Sequence, residues 1–439
     1  MHFADSKKVR KQLVESNNSG RCVYIDMKVV ELDPDSIQLV AQDALTNFHS
    51  GIKSNETRKP MLRNLSTFLN IVCKKILKGN LMERAQEFVD LAKNDQQKTL
   101  AIVSQYVQHL KNRTCLDKAN PEYLNPSTIP NKIKPIKKIL DMNGVGIAWK
   151  RIYTMYPELN NIHKGRGYTR DEIKILLEHA DNLALEFVIL AESSGGFRVG
   201  AWNDITWDCI CPVYKVGDDY KLEPDSNGTI VCAVMKIYKG TSQEYETLVS
   251  IEAWNKLAEY KIFWISKVNR QPQNNDPVIL QRFKRPVPIS DKAIRSRIEK
   301  IRNRTGIISP LTEGKRRHDI PVTHGFRRYY DKIMMECNQK SSTLSSLVIK
   351  ERLLGHGGIV KTDKNYYWTN IIDMIPQYLQ AMPEIMIDDK YRMQIKLEQE
   401  KAKTIELERQ NQQNTDALGK LRELEVKIRR MEKYQKTED

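Results

Sequence analysis

The 439-residue sequence lacks the long apolar runs that membrane and secreted proteins need. Its most apolar segment of helix length, LALEFVILA, is short and includes Glu186, whereas a membrane-spanning helix needs about 20 apolar residues. The first twenty residues contain no apolar core segment, so no secretory signal peptide is expected. These absences predict a soluble, intracellular protein with no membrane partner.

The sequence also lacks a paired cysteine motif. Its seven cysteines are odd in number and form no CxxC pair. Cys209 and Cys211 are two residues apart, but Cys-x-Cys without a second Cys or His pair nearby is a weak indication of a metal site. We therefore expect reduced thiols in the cytosol and no metal, with a structural zinc ion as the less favoured interpretation.

Acidic residues are too few to balance the basic ones. The formal net charge is +16 and the pI is about 9.3. Residues 281–330 hold fourteen Lys and Arg against four Asp and Glu, a net charge of +10 within fifty residues. Such a concentration favours a polyanionic partner, and nucleic acid is the leading candidate.

The hydrophobic pattern predicts a helical domain over residues 45–155, after an N-terminal extension, 1–44, to which we assign no function. Apolar residues recur there at helical spacing, as at Leu62, Leu65, Phe68, Leu69, Val72 and Ile76. A polar stretch with Pro and Gly follows, and residues 156–168 are predicted to be a linker. Lys and Arg are frequent at the exposed positions of this domain.

A second, mixed domain is predicted over residues 169–387. Thr169 and Glu172 have the T-x-x-E spacing of a capping box, so a helix should begin there. VCAVMKIYKG and YETLVSI are predicted to form a β-hairpin across TSQE. Helices are predicted around both, and the fold class is mainly α with a small antiparallel β-sheet (α+β).

Residues 388–439 form a charged tail with thirteen basic and twelve acidic residues. Leu421, Leu424, Ile428 and Met431 step by three and four, as in the seam of a coiled coil. The spacing lapses into Gln and Asn upstream. A solvated helical tail and a dimerising coiled coil therefore both remain open.

Cationic and titratable residues recur through the second domain, each at a position suited to binding an anion. GGFRVG carries Arg198 after a glycine pair, which we predict to open a helix; YKG carries Lys239 in the hairpin; HGFRRYY carries His324 and Arg327, three residues apart; LLGHGG carries His356; and KNYYW carries Tyr366 and Tyr367. HGFRRYY itself contains no acid. Such a set needs an anion to balance it.

Together these residue types suit one reaction, the attack of a tyrosine hydroxyl on a phosphodiester. Arginines bind the non-bridging oxygens and stabilise the charge that develops. A lysine can protonate the leaving 5′ oxygen, and histidines can move the tyrosine proton. The product is a covalent phosphotyrosine, which conserves the phosphodiester for rejoining.

The boxes GGFRVGAWNDITW, IYKGTSQEY, HGFRRYY and LLGHGG…NYYW resemble, in order and spacing, those of the tyrosine recombinase (phage integrase) family. The similarity covers about residues 168–387 and is closest to the archaeal branch, with integrases of archaeal viruses and plasmids. It implies a SAM-like core-binding domain over 45–155, a tyrosine recombinase catalytic domain over 169–387, and a cytoplasmic location in a prokaryotic, archaeal, cell.

The resemblance implies a site-specific DNA recombinase that integrates or excises a mobile element through a 3′-phosphotyrosine intermediate. Arg198 and Arg327 would bind the scissile phosphate, Lys239 would be the general acid, and His324 and His356 would assist. Many members place the nucleophile nine residues after the second histidine, where this sequence has Asn365. Tyr366 is the preferred nucleophile and Tyr367 the alternative. Double-stranded DNA, a homotetramer on two DNA sites, no cofactor and no small-molecule substrate are implied.

Each motif alone also has an ordinary structural interpretation. Arg198 could pair with Asp204, Lys239 could be a plain hairpin lysine, and His324 and Arg327 could be a core histidine and a surface arginine. Three other functions also remain open. These are type IB topoisomerase-like relaxation, DNA binding without catalysis, and a coiled-coil scaffold in which the tail is the functional part.

Overall fold

The structure is a computed structural model that describes residues 13–16, 22–24, 43–158, 165–225, 227–308, 318–341, 344–356 and 370–435. The chain divides into two compact units, residues 1–160 and 161–439. Each unit is described by itself. Strands β1 (Leu13–Ser16) and β2 (Cys22–Tyr24) pair antiparallel within the first.

The first unit is a helical bundle. Its helices are α1 (Ala44–Ser50), α2 (Asn55–Thr67), α3 (Leu81–Asn94), α4 (Gln96–Thr114), α5 (Ile129–Met142) and α6 (Trp149–Thr154). A π-helical segment, Phe68–Val72, continues α2. Leu65, Phe68 and Leu69 are fully buried, as the helical spacing predicts, but Ile76 and Val72 are exposed because the wider π turn rotates the later residues outward.

The second unit contains the other α-helices of the described residues. They are α7 (Arg170–Glu178), α8 (Leu183–Gly195), α9 (Ile251–Val268), α10 (Asp291–Thr305), α11 (His324–Ser341), α12 (Leu344–Leu353), α13 (Ile371–Ile385) and α14 (Asp389–Gln435). Helix α7 begins at the predicted capping box: Thr169 accepts from the Glu172 backbone N–H, and the Glu172 carboxylate accepts from that of Thr169.

The second unit also contains a four-stranded antiparallel sheet, whose strands come between α8 and α9 in the sequence. Its strands are β3 (Ile210–Val216), β4 (Asp219–Lys221), β5 (Thr229–Ile237) and β6 (Tyr245–Ser250), in the order β4-β3-β5-β6. β5 and β6 form the predicted hairpin, with Ile237 opposite Tyr245. Two short strands, β7 (Leu280–Arg282) and β8 (Val287–Pro288), pair separately. The prediction of a mainly helical fold with a small antiparallel sheet is confirmed.

Helix α8 is apolar on all sides because it is the central helix of the second unit. All but two of its thirteen residues are buried, which is the pattern expected of a helix covered on every face. The sheet holds its end: Thr247 Oγ1 donates to Gly195 O, and Tyr378 of α13 donates to Ser194 O. The residues that follow α8 are thereby fixed.

The junction between α13 and α14 is anchored in the same core. The Glu252 carboxylate, at the start of α9, accepts from the backbone N–H groups of Ile387 and Asp388. Arg170 donates to Met386 O and Glu384 O from the other side. Beyond residue 399, every α14 residue through 428 is exposed. Over the described residues, no helix is long and apolar enough to cross a membrane.

Candidate active site around Arg327

Arg327, the second arginine of HGFRRYY, is buried, with 6% of its surface exposed. Nη1 donates to Gly196 O at 2.8 Å, and Nη2 donates to Leu354 O at 2.8 Å and lies 2.7 Å from Nε2 of His356. None of these three acceptors is a carboxylate. The guanidinium is therefore fixed in position while its positive charge stays unbalanced by any described ion pair.

The start of α11 fixes the backbone from which Arg327 extends. Tyr168 donates its hydroxyl to Val322 O at 2.7 Å, and its backbone N–H donates to Gly325 O. A Cβ at Gly325 would lie 2.5 Å from the Tyr168 ring, so only glycine permits this approach. The aromatic ring thus sets where the H-x-x-R box sits.

The glycine pair before Arg198 ends a helix, and the prediction that it opens one was wrong. Gly195 is the last residue of α8, and Gly196 caps it with φ of +63°. A Cβ at Gly196 would lie 2.3 Å from the Tyr330 ring. Gly196 is needed because the chain must turn in a left-handed conformation against an aromatic side chain, and this turn presents Gly196 O to Arg327.

Arg198 follows as the residue that caps the start of a short 3₁₀ turn, Val199–Asn203, and its side chain is exposed. Burial lowers the pKa of Arg327, and the Arg198 guanidinium lowers it further. The pairing with Asp204 considered from the sequence is not among the ion pairs of the described residues. Two guanidiniums therefore interact repulsively, which is costly unless an anion lies between them.

His324, on the first turn of α11, belongs to the same cluster. Partial desolvation lowers its pKa, and so do the charges of Arg327, Arg328 and Arg198. The imidazole is therefore neutral at pH 7 and able to accept a proton. The alternative interpretation, a core histidine beside a surface arginine, was wrong. Arg327 is buried and His324 is exposed.

His356 lies after the end of α12, which stops at Leu353 as the sequence predicts, with Gly355 at φ +66°. Its Nδ1 is 2.6 Å from the Glu351 carboxylate, and its Nε2 faces the Arg327 donor. Since a guanidinium can only donate, Nε2 must accept, and the ring proton lies on Nδ1. Glu351 thus fixes the tautomer of His356.

Lys239 lies in the turn between β5 and β6, exposed, and forms an ion pair with Asp208. The hydrogen bond that Lys239 donates to the Asp208 carboxylate raises the pKa of Lys239. The strongest electrostatic partners of Lys239 are Asp208, Cys209 and Glu244, not the two arginines. Of the predicted site residues, the structure brings together Arg198, His324, Arg327 and His356, and holds Lys239 on Asp208.

Tyr366 and Tyr367 lie outside the described residues. Three other side chains join the cluster that sequence reasoning missed: Glu351, Tyr238 and Tyr245. Burial raises the pKa of both Tyr238 and Tyr245, and the positive charges of Arg198 and Arg327 offset part of that rise. The Tyr245 hydroxyl is buried beside the Arg327 guanidinium, which interacts with it. The signal in the sequence for Tyr245 is the predicted hairpin, which pairs it with Ile237 close to Lys239.

A metal site finds no support in the described part of the chain, where no group of three His, Cys, Asp or Glu is suitably placed. Cys209 is buried, and Cys211 donates to Leu222 O. The cation-rich cluster offers several donors, and two carboxylates near it already have partners, since Glu351 binds His356 and Asp331 pairs with Lys350. It is suited to a multiply charged oxyanion such as phosphate.

No protein-family model matches the chain, and no curated protein matches it. Several solved structures of recombinases and integrases are similar to it. A XerH site-specific recombinase bound to its difH substrate is 14% identical, with 76% of this chain and 93% of that chain covered and a TM-score of 0.39. The Tn1549 transposon integrase with transposon right-end DNA is 10% identical, with 78% and 99% covered and a TM-score of 0.40.

A lambda integrase dimer bound to a COC′ core site is 10% identical, with 70% of this chain and 98% of that chain covered and a TM-score of 0.39. These structures are site-specific recombinases and integrases. At such identities and TM-scores, the similarities establish neither a family nor an activity for this chain.

Proposed function

We propose that the chain is a tyrosine-type site-specific recombinase, which cleaves and rejoins DNA through a covalent 3′-phosphotyrosine. The observation that carries the proposal is the setting of Arg327. Its guanidinium is buried, is held by two carbonyls and a histidine, and has Arg198 and His324 close enough to affect pKa values. Such an arrangement is unfavourable when empty and favourable around a phosphate.

The charge distribution of the chain supports a DNA phosphate over a small anion. Residues 281–330, which include α10 and the start of α11, carry a net charge of +10. A ligand with one phosphate group would not need so many positive charges, whereas a DNA duplex presents one negative charge per ~1.7 Å of its axis. The basic helical unit before residue 160 would provide further contacts to the duplex.

In the proposed step, the tyrosine Oη attacks the scissile phosphorus and its proton passes to a neutral histidine. The bond from phosphorus to O5′ breaks as the bond from Oη forms. Arg198 and Arg327 stabilise the charge on the two non-bridging oxygens. A 3′-phosphotyrosine and a free 5′-hydroxyl result, and the reverse step joins the 3′ end to another 5′-hydroxyl.

Lys239 is the proposed general acid for O5′. Its present partner, Asp208, raises its pKa and so opposes proton donation. Lys239 must therefore leave Asp208 before the leaving oxygen is protonated. A DNA phosphate that approaches the β5–β6 turn competes with Asp208 for Lys239. DNA binding would therefore release Lys239 from Asp208.

Tyr366 is the proposed nucleophile, ahead of Tyr367. Following the resemblance described above, we assign the chain to the archaeal branch of viral and plasmid integrases and expect a homotetramer on two DNA sites in a prokaryotic cytoplasm. Residues 45–155 would be the core-binding domain and residues 169–387 the catalytic domain. No cofactor takes part in the proposed step.

The test is covalent trapping on a pool of nicked duplexes with randomised sequence. The nick lets the short strand that carries the 5′-hydroxyl diffuse away, so the protein–DNA adduct persists on a denaturing gel. Tyr366→Phe should abolish the adduct, and Tyr367→Phe, its matched control, should retain it. Absence of any adduct from the wild-type protein, with DNA binding intact, would contradict the proposal.

A second assay separates recombination from relaxation. Two copies of the sequence recovered from the adduct are placed on differently marked DNAs and incubated with the protein. Exchange of the markers supports a recombinase. Relaxation of a supercoiled plasmid without exchange would instead indicate a topoisomerase-like enzyme, with the same site and a different outcome.

A further inference from the structure

The end of α14 is a long helical segment whose described side chains are all exposed. Residues 400–428 are all exposed, and at 1.5 Å per residue they extend about 43 Å. A solitary helix in water is marginal, since most helical stability comes from packing one apolar face. A helix of this length therefore suggests a partner that the isolated chain does not supply.

Three apolar residues form a narrow stripe on this helix. Leu421 is 56% exposed, Leu424 54% and Ile428 53%. Their spacing of three and four places them at successive a and d positions of a heptad repeat. The sequence extends the pattern by one position at each end, to Ala417 and Met431. We call residues 414–432 the tail seam.

We propose that the tail seam binds the tail seam of a second copy of this chain as a parallel two-stranded coiled coil. The charges beside the stripe identify the occupant. With Leu421 at position a, Lys420 is at g and Glu425 at e. In a parallel dimer, g of one helix faces e of the next heptad of the other, so Lys420 meets Glu425 of the second copy twice, by symmetry.

The same charges disfavour an antiparallel pair, in which g faces g and e faces e. There, lysine would meet lysine and glutamate would meet glutamate. The next pair repeats the pattern, since Lys427 is at g and Glu432 follows at e. The segment is therefore complementary to itself in one orientation only, which a randomly charged solvated helix would not be.

The core positions favour two strands in one register. Ile428, which is β-branched, is at a, and Leu424 is at d, the combination typical of parallel dimers. Asn414 takes the a position one heptad before Leu421. An asparagine there pairs best with its own counterpart, which fixes register at some cost in stability.

The first test is the association of the full chain, without DNA, by sedimentation equilibrium. Leu424→Lys should raise the dimer dissociation constant at least ~10-fold, because a charge enters the core of the pair. Val426→Lys is the matched control: Val426 is 50% exposed but lies at f, away from the stripe. A wild-type chain that stays monomeric at ~100 μM, or equal effects of the two variants, would overturn the proposal.

The second test exchanges the charges. Lys420→Glu and Glu425→Lys should each weaken the dimer, because each makes two like-charge contacts. The double variant, Lys420→Glu with Glu425→Lys, should restore wild-type association, since the parallel pair then regains both attractions. Failure of the double variant to recover would contradict the proposed pairing.

The third test reports orientation. Ala417→Cys, at d, should form a disulfide-linked dimer on mild oxidation, because the two positions lie side by side only in a parallel, in-register pair. Val426→Cys, at f, should not. Both variants retain the native cysteines, so any difference in crosslinking between them comes from the cysteine introduced in the tail. Equal crosslinking would refute the orientation. The proposal is independent of the reaction, and loss of DNA cleavage in Tyr366→Phe should leave association unchanged.

Discussion

Gly355 and Tyr245 are packed so closely that no side chain fits between them. A Cβ at Gly355 would lie 2.4 Å from a ring carbon of Tyr245. Gly355 also has φ of +66°, a conformation that costs other residues about 1 kcal/mol or more. The contact joins the turn after α12, which carries His356, to the first residue of β6.

Gly355→Ala should therefore destabilise the second unit by about 2–4 kcal/mol, through strain and overpacking together. Gly217→Ala is the matched control: Gly217 has φ of +63° and nothing within 4 Å of its would-be Cβ, so it should cost about 1 kcal/mol. Denaturant unfolding followed by tryptophan fluorescence checks this, since five of the six tryptophans lie in residues 161–439. Equal losses would show that the Tyr245 contact is unimportant.

Glu192 should make stability depend on pH. Complete burial raises its pKa from 4.5 to about 8, although Trp202 Nε1 donates to it. Between these values the folded chain holds a proton that the unfolded chain releases, so the free energy of unfolding should fall as pH rises. The slope is on the order of 1.4 kcal/mol per pH unit between pH 4.5 and 8.

Glu192→Gln should remove that slope, because glutamine does not titrate. Glu178→Gln makes the same chemical change at an exposed position of α7 and should keep it. Denaturant unfolding at several pH values between 4.5 and 8 provides the measurement. A slope that survives in Glu192→Gln would place its origin in another group.

Lys239 should matter only when the leaving group needs a proton. Lys239→Ala should slow single-turnover cleavage of the duplex recovered from the pool by about 10²–10⁴-fold. A duplex with sulfur in place of the bridging 5′ oxygen should be cleaved at near the wild-type rate, because a thiolate leaves without protonation.

Lys236→Ala is the control for that experiment. Lys236 is an exposed lysine of the same hairpin and pairs with Glu246. It should cleave both duplexes as the wild-type protein does. If sulfur fails to restore cleavage to Lys239→Ala, the lysine acts in binding and is not the general acid.

Glu351 should be a positioning residue for His356. Glu351→Gln removes the carboxylate that accepts from Nδ1, and the single-turnover rate should fall about tenfold, which is ~1.4 kcal/mol. Asp331→Asn is the matched control, because Asp331 and Glu351 both pair with Lys350 but only Glu351 contacts His356. Similar rate losses in both variants would assign the effect to Lys350.

Local signals were readable in the sequence because they depend on neighbours along the chain. The Thr169 capping box, the β5–β6 hairpin and the glycine stop of α12 each follow from spacing within ten or so residues. The gathering of Arg198, His324, Arg327 and His356 was foreseen only through motif resemblance, since no periodicity relates residues so far apart.

The rest depends on long-range packing that no local pattern encodes. The glycine pair at 195–196 ends a helix because Tyr330, more than 130 positions later, occupies the space. Asp208 meets Lys239 through the pairing of strands, and Arg327 is buried because three acceptors from separate segments converge on it. The ordinary interpretation of the isolated motif had a surface arginine at position 327.

The clamp of Glu252 and Arg170 on residues 384–388 gives α14 a fixed origin. Its 47 residues extend about 70 Å, and among its described residues only the first turns include side chains that are not exposed. If the tail seam pairs as proposed and the protein acts on two DNA sites, this helix would hold neighbouring protomers at a set spacing. Lengthening or shortening it by one turn should then change which protomers can meet across the two DNA sites.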